Sequence, residues 1–229
     1  MSQHADRSDL PRPTPGVIQP AFEELLPTLD TGDILLFGGS SPLSSWIKRL
    51  TRSRWSHVAL VARAPTTRRL LLWEATLDTD LPDVATSLLA PGVNLYDLHE
   101  WVSHYADETA VRQLQIPRTV EMTRQLLDFY LEARGRPYER NRLQLLGALY
   151  DGPGGRNRQP DTSSFFCSEL VAEAYQRLGL LPLVPPSSEY TPRDFSTERR
   201  AVLPLQQGAS LGPELLLCSA AQFPEDNRG

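Results

Sequence analysis

The chain has very little cysteine: two residues in 229, Cys167 and Cys218. Two thiols without a repeating spacing do not form a disulfide framework, so the sequence predicts reduced thiols in a reducing compartment. A chain of this length can bury the core of one sizeable domain without such cross-links. Disulfide-dense secreted scaffolds are therefore excluded.

Long apolar runs and an excess of positive charge are also missing. The longest aliphatic runs, such as residues 34–37 and 70–73, are far too short to span a bilayer, and residues 1–10 lack a basic-then-apolar signal pattern. We therefore expect a soluble, cytoplasmic protein. The formal net charge of -5 and a pI near 5.4 give no overall attraction to nucleic acid, so nucleic-acid partners are disfavoured.

Motifs for phosphates, dinucleotides and metals are absent, as are internal repeats. Of the four histidines, His99 and His104 lack companions at metal-ligand spacing. The sequence implies neither a metal nor an organic cofactor.

The segments that are present predict a single α+β domain over residues 21–218. Residues 1–20 are polar and rich in proline, which predicts a disordered tail, and residues 219–229 predict a second flexible tail. Alternating or continuous apolar runs predict strands near 34–37, 57–61, 70–76, 93–98, 110–116, 201–203 and 215–218, arranged as an antiparallel sheet. Helical periodicity is found at 22–26, 43–50, 100–105, 119–134, 141–150 and 163–178, with a loop at 151–160.

Cys167 lies near the start of the last of these helices. Ser163 or Ser164 is the predicted N-cap, and Gly179 follows the helix at the position that favours glycine. The positive end of the helix dipole favours a thiolate there, and free backbone N-H groups, including that of Cys167, are candidate oxyanion donors. Because most lone cysteines are small buried hydrophobes, a catalytic role also requires a base elsewhere.

His57 and Glu74 are the candidates for that base and its partner. His57 begins one predicted strand, and Glu74 interrupts the next, otherwise apolar, strand. The polar connection between them favours an antiparallel hairpin, and a carboxylate in such a strand needs a partner such as a histidine ring. The alternative for Glu74 is an exposed position at a strand end.

Two other residues have simpler interpretations. Asp33 follows a glycine before a strand, and we favour a turn-fixing role over a catalytic or ligand role. Cys218 lies in an aliphatic run and is expected to be structural.

A basic cluster lies just before His57. Its members are Lys48, Arg49, Arg52 and Arg54, next to Trp46 in an amphipathic helix. The cluster could attract an anionic substrate or a lipid surface, or it could be a solvated helix face. The candidate substrate-binding residues are Tyr138, Trp55, Ser164, Ser168, Arg49 and Arg52.

These residues also carry a resemblance to a known family. The segments are 32–36, 55–61, 73–75, 135–138 and 166–171, which contain Gly32-Asp33, Trp55-Ser56-His57, Trp73-Glu74-Ala75, Gly135-Arg136-Pro137-Tyr138 and Phe166-Cys167. Their order over about residues 28–196 resembles the circularly permuted NlpC/P60 group of papain-like proteins, in particular the YiiX/YebB/YaeF-like hydrolases. Lecithin:retinol acyltransferase relatives are more remotely similar.

The resemblance implies a permuted papain-like fold in which the helix of Cys167 packs on the antiparallel sheet. It also implies that Cys167 is the nucleophile, His57 its base and Glu74 the residue that orients His57, the three roles of a catalytic triad. We therefore predict a cysteine amidase or peptidase acting on a small peptide, a muropeptide or a lipid amide. The alternatives are a lipid acyltransferase or thioesterase with the same triad, and a non-catalytic lipid- or peptide-binding module.

Overall fold

A computed structural model describes residues 22–76, 80–105, 107–134, 163–199 and 202–217. Both predicted tails, the predicted helix at 141–150, the predicted loop at 151–160, Tyr138 and Cys218 lie outside these residues.

The described segments contain five α-helices, eight strands and three 3₁₀ turns. The helices are α1 (Phe22–Leu25), α2 (Pro42–Thr51), α3 (Leu98–His104), α4 (Val120–Ala133) and α5 (Ser163–Arg177). The strands are β1 (Ile34–Phe37), β2 (His57–Arg63), β3 (Leu70–Thr76), β4 (Gly92–Asp97), β5 (Thr109–Arg112), β6 (Leu114–Gln115), β7 (Ser210–Leu211) and β8 (Leu215–Leu217). Three short 3₁₀ turns cover Leu26–Thr28, Ser187–Glu189 and Pro192–Phe195.

Six strands form one antiparallel sheet in the order β4-β3-β2-β1-β5-β8, and β6 pairs with β7 in a small second sheet. Helices combined with an antiparallel sheet confirm the α+β class. The predicted strand at 110–116 is divided into β5 and β6. The predicted strand at 201–203 is wrong in its described part, because Val202 is exposed and has no strand partner, while Leu203 packs into the core from a non-strand segment.

Alternation along the strands gives the sheet two buried faces. One face carries Ile34, Val58 and Trp73 and packs with residues of α4 and α5. The other face carries Leu35, Phe37, Ala59, Val61 and Leu72 and packs with residues of α1 and α3. Because both faces are covered, β1 and β2 have the nearly continuous apolar sequences expected of buried strands.

Local capping explains where several helices begin and end. The side chains of Ser41, Asp97 and Thr119 accept backbone N-H groups three residues later, at 3.1, 3.0 and 3.1 Å. These are the side chains that satisfy free N-H groups at helix starts. Gly179, with φ of 67°, follows α5 in the left-handed conformation that glycine adopts without steric cost.

One end of the large sheet is named the His57 end. Phe37, the last residue of β1, lies opposite His57, the first residue of β2. Thr76, the last residue of β3, lies opposite Gly92, the first residue of β4. Helix α2 therefore joins β1 to β2 at this end, and the connection from β3 to β4 lies at the same end.

Candidate active site

His57 occupies the first position of β2, at the His57 end of the sheet. Its ring lies on the same face as Phe37, with ring centroids 5.5 Å apart. The side chain is half-buried, at 23% exposure, so the ring is held by packing while one part of it stays accessible. This combination suits a residue that must exchange protons with a substrate.

Glu74 is the partner of His57. The β2–β3 register pairs Leu60 with Trp73, which places Glu74 opposite Ala59 and diagonal to His57 on one face. The His57 Nε2 atom lies 2.6 Å from Glu74 Oε2, and Glu74 is almost fully buried. The predicted hairpin thus brings the histidine and the carboxylate together, and the alternative of an exposed Glu74 is wrong.

Trp101 is a site residue that the sequence did not reveal. Its Nε1-H group donates a hydrogen bond to Glu74 Oε1 at 2.9 Å. The indole ring stacks on Tyr105 with centroids 4.6 Å apart and contacts Phe37 at 4.5 Å. Both carboxylate oxygens of Glu74 are therefore engaged, one by the histidine and one by a packed indole.

Cys167 approaches the same histidine from α5. The thiol is buried, and both a hydrogen bond and a charge interaction join it to His57. Burial lowers the pKa of His57, but the charge of Cys167, the hydrogen bond to Cys167 and the contacts with Glu74 raise this pKa to about 10. Because Glu74 engages Nε2, Nδ1 is the ring nitrogen that remains for the thiol.

The start of α5 differs from the prediction. The helix already includes Ser163 and Ser164, so neither serine is the N-cap, and Cys167 is the fifth helical residue. In an α-helix the N-H group of the fifth residue bonds to the carbonyl of the first. The Cys167 N-H group is therefore not among the free donors, which corrects its expected role as an oxyanion donor.

Ser168 and Trp55 do not offer surfaces for substrate in this structure. Ser168 is fully buried, and its hydroxyl donates to the Tyr190 carbonyl at 2.6 Å, so it fixes the helix to the segment before the last 3₁₀ turn. Trp55 is also fully buried, beneath the Arg54 guanidinium at 4.7 Å. Both side chains therefore have a structural role in the protein interior. Ser164 belongs to α5, but its side chain lies outside the described part of the structure, as does Tyr138.

The basic cluster is divided between paired and unpaired residues. Lys48 Nζ donates to the Gly38 carbonyl at 3.2 Å, and Arg54 forms an ion pair with Glu108. Arg49 and Arg52 are exposed, and neither has an ion pair within the described segments. Within the described residues of this cluster, Arg49 and Arg52 are the two side chains without a hydrogen bond or an ion pair, so both can attract an anion from solution.

A small cleft opens beside the buried carboxylate. Its lining residues are Glu74, Asp80, Leu81, Tyr96, Trp101, His104 and Tyr105. Within the described segments, no cluster of three or more histidine, cysteine or carboxylate side chains could hold a metal ion. The helices of those segments include none with the length and apolarity needed to cross a membrane.

Comparison with known proteins places these features in a family. The model of the permuted papain-like amidases, described as the YaeF/YiiX, C92 family, matches residues 28–185. A crystal structure described as metalloprotein yiiX from Escherichia coli O157:H7 is 23% identical, with 66% of this chain and 67% of that chain covered and a TM-score of 0.43. That TM-score is too low to carry a structural argument. No curated protein matches the chain.

Proposed function

Because the chain belongs to the permuted papain-like amidase family, we propose that it is a cysteine hydrolase in which Cys167, His57 and Glu74 cleave an amide through an acyl-thioester. The observation that carries this proposal is the convergence on one histidine ring of a thiol from α5 and a carboxylate from β3. A nucleophile, a base and a group that orients the base are the parts that covalent acyl transfer needs.

The first half of the reaction forms the acyl-enzyme. His57 Nδ1 holds the proton taken from Cys167 Sγ before the substrate reacts, because the raised pKa of His57 favours the imidazolium at neutral pH, and the thiolate attacks the carbonyl carbon of the amide. When the C-N bond breaks, the amine leaves with the proton from His57, and the acyl group remains on Cys167 as a thioester. In the second half His57 removes a proton from water as the water oxygen attacks the thioester carbonyl carbon. The C–S bond then breaks, the carboxylic acid leaves, and the sulfur of Cys167 and the proton on His57 together restore the starting site.

Glu74 and Trp101 act on His57 rather than on the substrate. Glu74 Oε2 accepts the Nε2-H group, which fixes the tautomer with Nδ1 toward the thiol and stabilises the imidazolium when it forms. Trp101 fixes Glu74 in turn through Oε1. Because Glu74 is almost fully buried, its hydrogen bonds with His57 and Trp101 are stronger than they would be in water.

The proposed substrate is a small peptide, a muropeptide or a lipid amide, as expected from the sequence. The cytoplasmic location that the sequence predicts suits a thiol nucleophile, since thiols persist in reducing compartments. Transfer of the acyl group to an amine or alcohol, instead of to water, would make the protein an acyltransferase with the same intermediate.

The test is to trap that intermediate. The full chain is incubated with a panel of peptide amides and N-acyl amines, and its intact mass is measured after rapid acid quenching. We expect one acyl adduct, mapped to Cys167 by peptide mass spectrometry, and no adduct with Cys167→Ala.

Thiol labelling supplies a test that does not depend on the choice of substrate. Iodoacetamide near neutral pH should label Cys167 faster than Cys218, and His57→Ala should slow the labelling of Cys167. A Cys218→Ala variant serves as the matched control with one thiol left. Equal labelling rates, or faster labelling of Cys218, would overturn the assignment of Cys167 as nucleophile.

A further inference from the structure

Two of the three large apolar side chains described in helix α2 are exposed to solvent. Ile47 is buried, but Trp46 is 44% exposed and Leu50 is 54% exposed. Trp46 and Leu50 are four residues apart and therefore adjacent on the helix surface. The apolar stripe of a surface helix normally packs against the protein core, so an uncovered stripe indicates a partner outside the described segments.

Unpaired positive charge lies beside this stripe. Arg49 is three residues after Trp46, and Arg52 follows the last residue of the helix; both are exposed and lack ion pairs within the described segments. The nearby carboxylates are already used, since Glu108 pairs with Arg54 and Glu198 accepts the Arg54 backbone N-H at 3.2 Å. The chain as a whole has a formal net charge of -5, so the positive charge of Arg49 and Arg52 is opposite in sign to that of the whole chain.

The connection from β3 to β4 carries a second pair of exposed apolar side chains, on a turn beside the edge strand β4, where the Val84 N-H donates to the Leu95 carbonyl. Leu88 and Leu89 are both mostly exposed. Asp83 holds this connection in place by accepting the backbone N-H groups of Thr86 and Leu95, both at 2.7 Å. The two leucines are therefore presented by an anchored turn rather than by a loose loop.

We propose that the His57 end of the sheet docks on an anionic phospholipid surface. Trp46 and Leu50 enter the boundary between headgroups and acyl chains, and Arg49 and Arg52 contact the lipid phosphates. Apolar side chains flanked by cations are the pattern of an interfacial helix, and tryptophan favours that boundary.

This proposal rests on the proposed function, because docking at this end brings the Cys167 site to acyl groups held at the lipid surface. Binding itself needs no chemistry. We therefore expect the inactive Cys167→Ala protein to dock like the native chain, so a failure of docking and a failure of catalysis are separate results.

The experiment is co-sedimentation of full-length Cys167→Ala protein with vesicles of phosphatidylcholine alone or mixed with phosphatidylglycerol. We expect binding to the mixed vesicles, weakened by salt, and little binding to phosphatidylcholine alone. Adding Arg49→Gln should lower the partition coefficient about fivefold, the usual contribution of one basic residue near an anionic surface. Trp46→Ala and Leu50→Ala should each lower it as well.

Two matched controls distinguish binding through helix α2 from nonspecific binding to vesicles. Arg68→Gln removes one exposed charge from the β2–β3 turn at the opposite end of the sheet. Leu131→Ala removes a leucine of similar exposure, 50% against 54% for Leu50, from α4. Neither control should change vesicle binding.

Three results would overturn the proposal. The protein could fail to bind mixed vesicles, or the controls could weaken binding as much as the α2 variants. Alternatively, sedimentation equilibrium could show a self-associating chain whose association is lost in Leu50→Ala, which would make a second copy, and not a lipid surface, the partner of this face.

Discussion

The large sheet has a buried carboxylate near each end, and the two carboxylates have different partners. Asp33 precedes β1 at the end opposite His57 and is 1% exposed; Glu74 lies in β3 and is also 1% exposed. Asp33 accepts the backbone N-H groups of Asp30 at 2.8 Å and Leu114 at 2.9 Å and pairs with Arg118. Glu74 instead accepts from a histidine and an indole.

The difference lies in what the partners can do. Backbone amides and a guanidinium keep their protons at any physiological pH, so the Asp33 network can only hold the chain in place. Burial raises the pKa of Asp33, although its backbone hydrogen bonds and Arg118 act to lower it. His57, by contrast, can gain and lose a proton and also contacts a thiol. Burial alone therefore does not distinguish a catalytic carboxylate from a structural one. In the proposed mechanism Glu74 differs from Asp33 because its partner, His57, is titratable and contacts the thiol of Cys167.

The largest expected effect is confined to the His57 end. Cys167→Ala should reduce turnover of an amide substrate by about 10⁶-fold, because the nucleophile is removed. The melting temperature should change little, since one small buried group is replaced by another. Turnover and thermal unfolding are measured on the same preparation, and turnover within tenfold of the native value would contradict the assignment.

Glu74→Gln should be the next largest effect on turnover. The glutamine keeps the shape and can still accept from Trp101, but its amide group cannot accept the His57 Nε2-H, so the tautomer is wrong. We expect kcat to fall by about 10²–10⁴-fold with the fold retained. Steady-state kinetics and circular dichroism provide the measurements, and a Glu74→Ala protein with unchanged turnover would remove Glu74 from the triad.

Asp33→Ala should lower the stability of the fold, whereas the two substitutions above lower turnover. The substitution removes the acceptor of one Arg118 N-H group and of two backbone N-H groups, while Arg118 keeps its bonds to the Thr31 and Ile116 carbonyls. Removing one partner of a buried ion pair costs about 3–5 kcal/mol in the free energy of unfolding. Urea denaturation measures this cost. The control Asp128→Ala removes an exposed partner of Arg124 and should leave the midpoint almost unchanged. If the two variants unfold alike, the comparison between the two sheet ends fails.

Trp101→Phe should sharpen the comparison with a smaller effect. Phenylalanine keeps a ring against Phe37 and Tyr105 but removes the hydrogen bond to Glu74, so we expect about a tenfold lower kcat with little change in KM. If Trp101 only packs, the dependence of kcat on pH should stay the same. If it positions Glu74 against His57, the part of that pH dependence that reports His57 should shift. An unchanged profile would therefore exclude Trp101 as a positioning residue.

The last expected effect concerns the pH dependence of stability and not turnover. The pKa of His57 is raised from 6.5 to about 10 in the folded protein, so its contribution to stability is complete below pH 6.5 and is lost as pH rises through about 10. The difference in unfolding free energy between the native chain and His57→Gln should thus shrink over that interval. Urea unfolding across this pH range tests the sign; a difference that grows with pH would contradict it.

Much of the fold follows from sequence patterns that act locally. Alternating apolar residues predicted β2 and β3, helical spacing predicted α4, and Gly179 marked the end of α5. The division of the 110–116 segment and the loss of a strand at 201–203 could not be foreseen. A strand exists only where a partner strand pairs with it, and the partner of each segment is set by the whole chain.

The sequence by itself determined the residue types and the hairpin that join His57 to Glu74, because strand alternation and a short connection place both on one face. Only the tertiary structure brought Cys167 and Trp101 to that pair, from helices that pack on opposite faces of the sheet. It also buried Trp55 and Ser168 and left Trp46 and Leu50 exposed. The physical reason is that periodicity gives each side chain a face, whereas the packing of distant elements decides what covers that face.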